Sequence, residues 1–292
     1  MTFVVARRLS SGVRMLGDLR ATKSDEVSRG YPIAVLKTVA LSRDLAVAYA
    51  GNLEHAMDVV RGFVSSGDGR AETLLDAVEE SCERADGDVA YLVATANMLW
   101  RVTAARGVER NLATAHIGTP EPFEIYQRGY HEAVVTPPLV APGISPDRGL
   151  PVTGADYEAT VRMMHGVFRL EQEAPADVGE AFIMLSGGRR GFRYEQQAML
   201  VADHEQVVES SEGWALADWG TVAEGGFGYA VLVPVEAGIG AIGLYFPHAS
   251  LGLYYAPLER DEPWPYPRVS REDFLAGVRR DHGVVLDGPA FG

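Results

Sequence analysis

The first 50 residues contain four short β-type segments separated by turns, and this spacing limits the folds open to the chain. The segments are Thr2–Leu9, Val13–Thr22, Ile33–Leu41 and Leu45–Ala50. Closely spaced strands joined by tight turns are typical of antiparallel hairpins. The chain is therefore expected to begin with antiparallel sheet rather than with a parallel, doubly wound one.

The rest of the chain alternates blocks of helix with blocks of strand. Apolar residues at helical spacing predict helices at Leu53–Val64, Glu72–Ala85, Pro122–Val134, Asp156–Glu173 and Arg271–Arg279. Strand-like segments are predicted at Val89–Ala105, Leu112–Ile117, Gly179–Val207 and from Trp214 onwards. A turn is expected at Ser186–Gly188, and the Pro- and Gly-rich residues 135–154 are expected to form a long loop. Strand blocks that enclose helix blocks favour an α+β fold in which helices cover sheets.

Charge and cysteine content narrow the classes of partner. The formal net charge is −14, from 26 basic and 40 acidic residues, whereas nucleic acids and anionic membranes favour surfaces rich in Lys and Arg. The single cysteine, Cys82, excludes an internal disulfide framework and a Cys-rich metal site. Because Cys82 lies on the apolar face of a predicted helix, it is expected in the core.

Neither a targeting segment nor a membrane span is expected. In the opening MTFVVARRL the basic residues follow the apolar stretch, which is unlike a signal peptide. The most apolar window, Tyr229–Phe246, is interrupted by Pro234 and Glu236 and therefore does not resemble a spanning helix. We expect a cytoplasmic protein without membrane contact.

Neither a cofactor nor a metal ion is expected. Gly238–Gly243 has G-x-G-x-x-G spacing, but Leu244–Pro247 does not start the helix that a dinucleotide site requires after this motif. The seven histidines are scattered and form no H-E-x-x-H motif, so no zinc site is predicted.

Lys37 is unusual in a chain with 24 arginines and only two lysines. In an extended Ile33–Leu41 it would share a face with the apolar Val35 and Val39. An ammonium group in such surroundings must pair with a carboxylate or give up its proton, and arginine cannot give up its proton. The functional interpretation is a proton-handling lysine; the alternative is an edge lysine that extends to solvent.

Asp18, directly after an apolar run, and Gly51, directly after a predicted strand, could lie near Lys37. Asp18 follows the apolar run Val13–Gly17, and a buried carboxylate needs a cation or several N–H donors. Gly51 ends a strand just before a predicted helix, where a backbone N–H without an overlying side chain suits an oxyanion. A plain strand-to-helix turn is the alternative reading of Gly51.

Thr2 offers a nucleophile if the methionine before it is removed, as is usual before small residues. It would then carry a hydroxyl and a free α-amine, whose pKa of ~7.7–8.0 lets it act as the general base for that hydroxyl. The alternative is that Thr2 is an ordinary first residue.

The combined spacing of these residues resembles the N-terminal-nucleophile (Ntn) hydrolases, specifically the proteasome β-subunit and its bacterial HslV-like relatives. As in that family, Asp18 lies sixteen positions after Thr2, and Gly51 lies fourteen after Lys37. The segment His116–Pro120 resembles the family's Ile-Gly-Ser-Gly segment, with Thr119 at the usual serine. The likeness is good over 2–65 and follows the order of elements to about residue 203.

The resemblance implies a four-layer α/β/β/α sandwich at 2–203, with loop 135–154 inserted and a β-rich C-terminal extension at 204–292. It implies a threonine amidohydrolase acting on a peptide or a small amide through an acyl-enzyme, without a cofactor, in a homo-oligomer. Thr2 would be the nucleophile, Lys37 would assist its deprotonation, Asp18 would hold Lys37, and the Gly51 N–H would face the oxyanion. Thr119 would support the site.

Two alternatives stay open. The family's Asp-x-x-Ser-Gly segment, which supports the terminal amine, has no clear counterpart, since Asp177–Gly179 lacks the serine. This favours a catalytically silent structural or partner-binding subunit. An acyltransferase that passes the same acyl group to an amine is the other alternative.

Overall fold

The computed structural model describes residues 3–19, 36–135, 162–163, 165–167, 169–170, 173, 182–195, 197–201, 207–210, 213–216, 227–247 and 249–288. The strands in chain order are β1 (Phe3–Leu9), β2 (Gly12–Asp18), β3 (Thr38–Ala40), β4 (Ala46–Gly51), β5 (Val89–Ala94), β6 (Leu99–Thr103), β7 (Gly107–Glu109), β8 (Thr114–Gly118), β9 (Phe182–Gly188), β10 (Arg193–Tyr194), β11 (Gln197–Val201), β12 (Val207–Ser210), β13 (Gly213–Leu216), β14 (Phe227–Pro234), β15 (Ile242–Phe246), β16 (Leu251–Tyr255), β17 (Trp264–Pro267) and β18 (Leu286–Asp287).

These strands form three larger sheets and one hairpin, and their pairing is antiparallel throughout. Sheet I has the order β10-β9-β2-β1-β8, and sheet II has the order β3-β4-β5-β6-β7. Sheet III has the order β11-β14-β15-β16-β17, with β18 paired to β14, while β12 and β13 form the hairpin. The α+β class with antiparallel sheets agrees with the prediction from the hairpin spacing.

The helices are α1 (Leu53–Ser66), α2 (Ala71–Arg84), α3 (Pro120–Val135), helical residues between 162 and 173 (α4), and α5 (Arg271–His282). Asn52 caps α1, because its side chain accepts a hydrogen bond from the His55 backbone N–H. Ser270 caps α5 in the same way. Within the described residues, no helix is both long and apolar enough to cross a membrane.

The helices and sheets share four apolar clusters. One face of sheet I, one face of sheet II and one face of sheet III meet in a common cluster, with Met15, Leu92 and Leu244 as members from the three sheets. The other face of sheet II packs against α1 and α2, and the other face of sheet I packs against α3 and α4. The second face of sheet III packs against α5. The C-terminal sheet therefore contributes to the same core as the N-terminal strands.

Two predicted details are wrong. The turn expected at Ser186–Gly188 is strand, because β9 runs to Gly188 and a side chain at Gly187 would collide with the Phe192 ring. Lys37 lies before β3, which begins at Thr38, so strand alternation does not set its direction. Its side chain is directed instead by an ion pair with sheet I.

Candidate active site

Asp18 and Lys37 form a buried ion pair between sheet I and the start of β3. The Lys37 Nζ donates to Asp18 Oδ2 at 2.7 Å. Asp18 is fully buried and Lys37 is 4% exposed. Burial of two charges is tolerated only when their geometry and hydrogen bonds are good, so this contact holds two strand ends in a fixed relationship. The contact between these residues that the sequence predicts is therefore present.

The second oxygen of Asp18 binds the start of β1. The Phe3 backbone N–H donates to Asp18 Oδ1 at 2.9 Å. One carboxylate thus holds both the Lys37 ammonium and the peptide group that joins Phe3 to Thr2. Thr2 itself lies outside the described residues.

Three successive carbonyl groups around Lys37 each accept a hydrogen bond. The Tyr49 hydroxyl donates to the Leu36 carbonyl at 2.8 Å, and the Tyr49 backbone N–H donates to the Lys37 carbonyl at 3.1 Å. The Tyr194 hydroxyl donates to the Thr38 carbonyl at 2.8 Å and accepts from the Ala40 N–H at 3.3 Å. The backbone that carries Lys37 is therefore held by two tyrosines from two different sheets.

Both tyrosine hydroxyls remain protonated donors. Burial raises the pKa of Tyr49 and of Tyr194 well above the ordinary value for tyrosine. Tyr194 was not singled out by the sequence, because the carbonyl that it binds is a backbone group, which every residue type supplies.

Gly17 allows β3 to come close to β2. A Cβ built at this position lies 3.1 Å from Thr38 Cγ2 and 3.6 Å from Lys37 Cβ. The first of these separations is tighter than an ordinary van der Waals contact between side chains. A residue without a side chain at position 17 therefore leaves the space in which the Lys37 stem passes beside β2.

Gly51 lies at the same end of sheet II as Lys37, two residues beyond Tyr49 on β4. It is exposed and has φ of +96°, and a Cβ there would lie 2.0 Å from the Asp88 carbonyl oxygen. The backbone alone thus requires glycine at this position. This requirement accounts for the residue type independently of any role for its N–H.

Thr119 lies close to the chain start through the pairing of β8 with β1. Phe3 pairs with Gly118, and Thr119 is the next residue along the chain. Thr119 is half-buried.

His116 on β8 stacks on Phe123 with ring centroids 3.8 Å apart. Burial lowers the pKa of His116, and the positive charge of Arg101 acts in the same direction.

A small surface depression with room for about one water molecule lies beside this group of residues. Leu36 and Tyr49 line one side, together with Leu53 and Met57 of α1. The other side is formed by 255–257 and 260–262, which belong to the C-terminal extension. The depression therefore lies next to the backbone of Lys37, because Leu36 precedes Lys37 and the Tyr49 N–H donates to the Lys37 carbonyl.

The described residues include no group of three or more His, Cys, Asp or Glu side chains placed to hold a metal ion. Cys82 is buried, and burial raises the pKa of its thiol to about 11. In the comparisons with known proteins, no protein-family model matches the chain, and no curated protein matches it.

Proposed function

We propose that the chain is an N-terminal threonine amidohydrolase with a four-layer α/β/β/α Ntn fold and a C-terminal extension. Packing supports the fold, because α1 and α2 cover sheet II, sheet II faces sheet I, and α3 and α4 cover sheet I. The proposal includes 2–203 as the catalytic part, 204–292 as the extension, and a homo-oligomer as the assembled state.

The observation that carries the proposal is the double use of the Asp18 carboxylate. It binds the Lys37 ammonium through one oxygen and the Phe3 N–H through the other. A buried lysine held by a carboxylate beside the first strand residue is what an N-terminal nucleophile needs nearby, because a cation there favours loss of the hydroxyl proton.

The reaction begins when the Thr2 Oγ attacks the amide carbonyl carbon and its proton passes to the α-amine. The C–N bond then breaks, the amine of the leaving group takes that proton, and an ester of Thr2 remains. Water attacks the ester in the second half, releases the acid and restores the Thr2 hydroxyl. Lys37 favours the deprotonated hydroxyl by its charge or relays the proton to the amine, Asp18 orients Lys37, and Thr119 supports the chain start.

The Gly51 N–H is assigned to the oxyanion in this mechanism. A backbone donor needs no reorganisation as charge develops, and such a donor typically contributes about 3–4 kcal/mol to the transition state. The position of Gly51 at the Lys37 end of sheet II supports the assignment.

The test combines intact mass with covalent labelling. The mass of the purified protein shows whether Thr2 is the first residue. The probe is a peptide α′,β′-epoxyketone, whose two electrophilic carbons take the hydroxyl and the amine of one terminal threonine. We expect one adduct per wild-type chain and none for Thr2→Ala. Retention of Met1, or equal labelling of Thr2→Ala, would refute the proposal. Cys82 is too buried and too weakly acidic to compete for the probe.

Lys37→Arg tests the role of the lysine. Arginine keeps the positive charge but does not release a proton, and its larger group does not match the Asp18 contact. We expect labelling to slow by about a hundredfold or more, whereas Lys23→Arg, a change at the other lysine, leaves the rate unchanged. An unchanged rate in Lys37→Arg would exclude proton handling by Lys37.

The silent structural or partner-binding subunit is the second candidate function. The chain lacks a clear Asp-x-x-Ser-Gly support for the terminal amine, which favours this candidate. A processed protein that carries a free Thr2 amine but takes up no probe would support it. An acyltransferase would be recognised by transfer of the acyl group from the Thr2 ester to an added amine rather than to water.

A further inference from the structure

Tyr194 holds the strand that follows Lys37 through a single oxygen atom. Its hydroxyl donates to the Thr38 carbonyl at 2.8 Å and accepts from the Ala40 N–H at 3.3 Å. Residues 38 and 40 are alternate residues of β3, so their backbone groups are directed to the same edge of that strand. An oxygen that binds a carbonyl and an N–H two residues apart fixes the position of β3 along its own axis as well as its distance from sheet I.

Strand β3 is a short edge strand. It contains three residues, Thr38–Ala40, and pairs with β4 at the edge of sheet II. Lys37 directly precedes β3, so a movement of this strand along its axis also moves the backbone of Lys37. Because the lysine side chain is a flexible four-carbon stem, the ion pair with Asp18 can form from more than one backbone position. The ion pair alone therefore does not fix the direction from which the ammonium group approaches.

Tyr194 and Asp18 belong to the same sheet, and a hydrogen-bonded network joins their strands. Glu195 follows Tyr194 in the chain, and its Oε1 lies 3.4 Å from the Arg14 Nε of β2. Ser186 of β9 joins this pair, because its hydroxyl donates to Glu195 and accepts from the Arg14 Nε at 3.2 Å. Arg14 is buried and lies four residues before Asp18 on β2. Tyr194 therefore holds β3 against the same sheet that carries Asp18.

We propose that Tyr194 is a positioning residue for Lys37, because by fixing β3 it places the Lys37 ammonium beside the start of β1. The connection to β1 is the Asp18 carboxylate, which binds the ammonium through one oxygen and the Phe3 N–H through the other. A displacement of β3 changes the separation between the ammonium and the chain start. The catalytic consequence rests on the proposed threonine amidohydrolase activity. Tyr194 acts through Lys37 and is assigned no contact with the substrate.

The low lysine content makes the surroundings of Lys37 measurable without any reaction. In protein grown with isotope-labelled lysine, only Lys23 and Lys37 give side-chain NMR signals, and Lys23→Arg assigns them. We expect Tyr194→Phe to shift the Lys37 ammonium signal and to speed its hydrogen exchange at least about threefold. Tyr254→Phe is the matched control, because the buried Tyr254 hydroxyl has no hydrogen-bond partner among the described residues. This control should leave the Lys37 signal unchanged.

The rate of labelling by the epoxyketone probe tests the catalytic consequence. Measured on the folded fraction, Tyr194→Phe should react about tenfold more slowly than wild type or Tyr254→Phe. The acid limb of the rate against pH should also move to higher pH in Tyr194→Phe. The reason is that a displaced ammonium opposes protonation of the Thr2 amine less strongly. A loss of stability alone would not move this limb, since the rate refers to folded protein.

Lys37→Met shows whether Tyr194 acts through the lysine. In that background Tyr194→Phe should change the labelling rate by less than about twofold, because the group that Tyr194 positions is absent. An equal tenfold loss in both backgrounds, or an unchanged acid limb, would overturn the positioning role and leave the proposed function intact. An unchanged Lys37 signal in Tyr194→Phe would also overturn the positioning role. An altered Lys37 signal without any labelling of wild type would overturn the proposed function alone.

Discussion

The hydroxyl of Tyr194 lies between two backbone groups of β3, donating to the Thr38 carbonyl and accepting from the Ala40 N–H. Tyr194 belongs to β10 at the edge of sheet I, and β3 is the edge strand of sheet II. One buried side chain therefore joins the edge strands of two sheets, directly after Lys37. The ion pair between Lys37 and Asp18 joins the same two sheets a few residues away.

Removal of the Tyr194 hydroxyl should destabilise the protein measurably. Tyr194→Phe leaves the Thr38 carbonyl and the Ala40 N–H without this partner in a buried place, which costs about 1–3 kcal/mol. Urea unfolding measures the loss. Tyr254→Phe is the matched control, because among the described residues the buried Tyr254 hydroxyl has no hydrogen-bond partner. Its removal should change stability by less than about 0.5 kcal/mol, and equal losses in both variants would contradict the proposed link.

The buried ion pair should show strong coupling in a double-mutant cycle. Asp18→Asn leaves the Lys37 ammonium buried without its carboxylate, and the expected loss is about 3–5 kcal/mol. Lys37→Met in the same chain removes the unpaired charge and should recover at least about 1 kcal/mol of this loss. The exposed pair of Glu80 and Arg84 is the control and should show coupling below about 0.5 kcal/mol. Additive effects of Asp18→Asn and Lys37→Met would mean that the two charges do not interact.

Local pattern was sufficient for much of the fold. Short turns and apolar alternation predicted the β1–β2 hairpin, and apolar residues at helical spacing predicted α1 with its observed start at Leu53. The turn predicted at Ser186–Gly188 was wrong because of a contact that is not local in the sequence. Gly187 makes room for the Phe192 ring. The local sequence does not distinguish a glycine that accommodates a neighbouring side chain from a glycine that forms a turn.

The same distinction applies to the candidate site. Asp18 and Lys37 were paired from sequence because buried charges require partners, which makes such residues conspicuous. The contact of Arg61 with Asp261 joins residues 200 positions apart, and both are common surface types. No residue type or spacing marks that contact, so it became apparent only from the fold.

Stability should fall as the pH decreases below neutral, in part because of His116. Burial lowers its pKa in the folded state, while the unfolded chain retains a value near ~6.5. The unfolded state therefore binds more protons as the pH falls through ~6.5, and it is favoured increasingly until the folded state also takes up the proton. His116→Gln should reduce the slope of unfolding free energy against pH between 7 and 5. Urea titrations at several pH values measure it, and an unchanged slope would exclude His116 as the cause.

The requirement for glycine at position 51 can be separated from its proposed catalytic role. In Gly51→Ala the new Cβ collides with the Asp88 carbonyl oxygen, and the alanine must also adopt an unfavourable φ of +96°. Gly67→Ala is the matched control, because Gly67 has φ of +71° with no atom within 4 Å of a Cβ. The control should lose about 1–2 kcal/mol from backbone strain alone, and Gly51→Ala should lose at least about 1 kcal/mol more. Urea unfolding of the two variants measures the difference, and equal losses would show that β4 shifts to relieve the contact.

A loss of labelling in Gly51→Ala supports the oxyanion role only if the rate is measured on the folded fraction, because misfolded chains lose the site for a different reason.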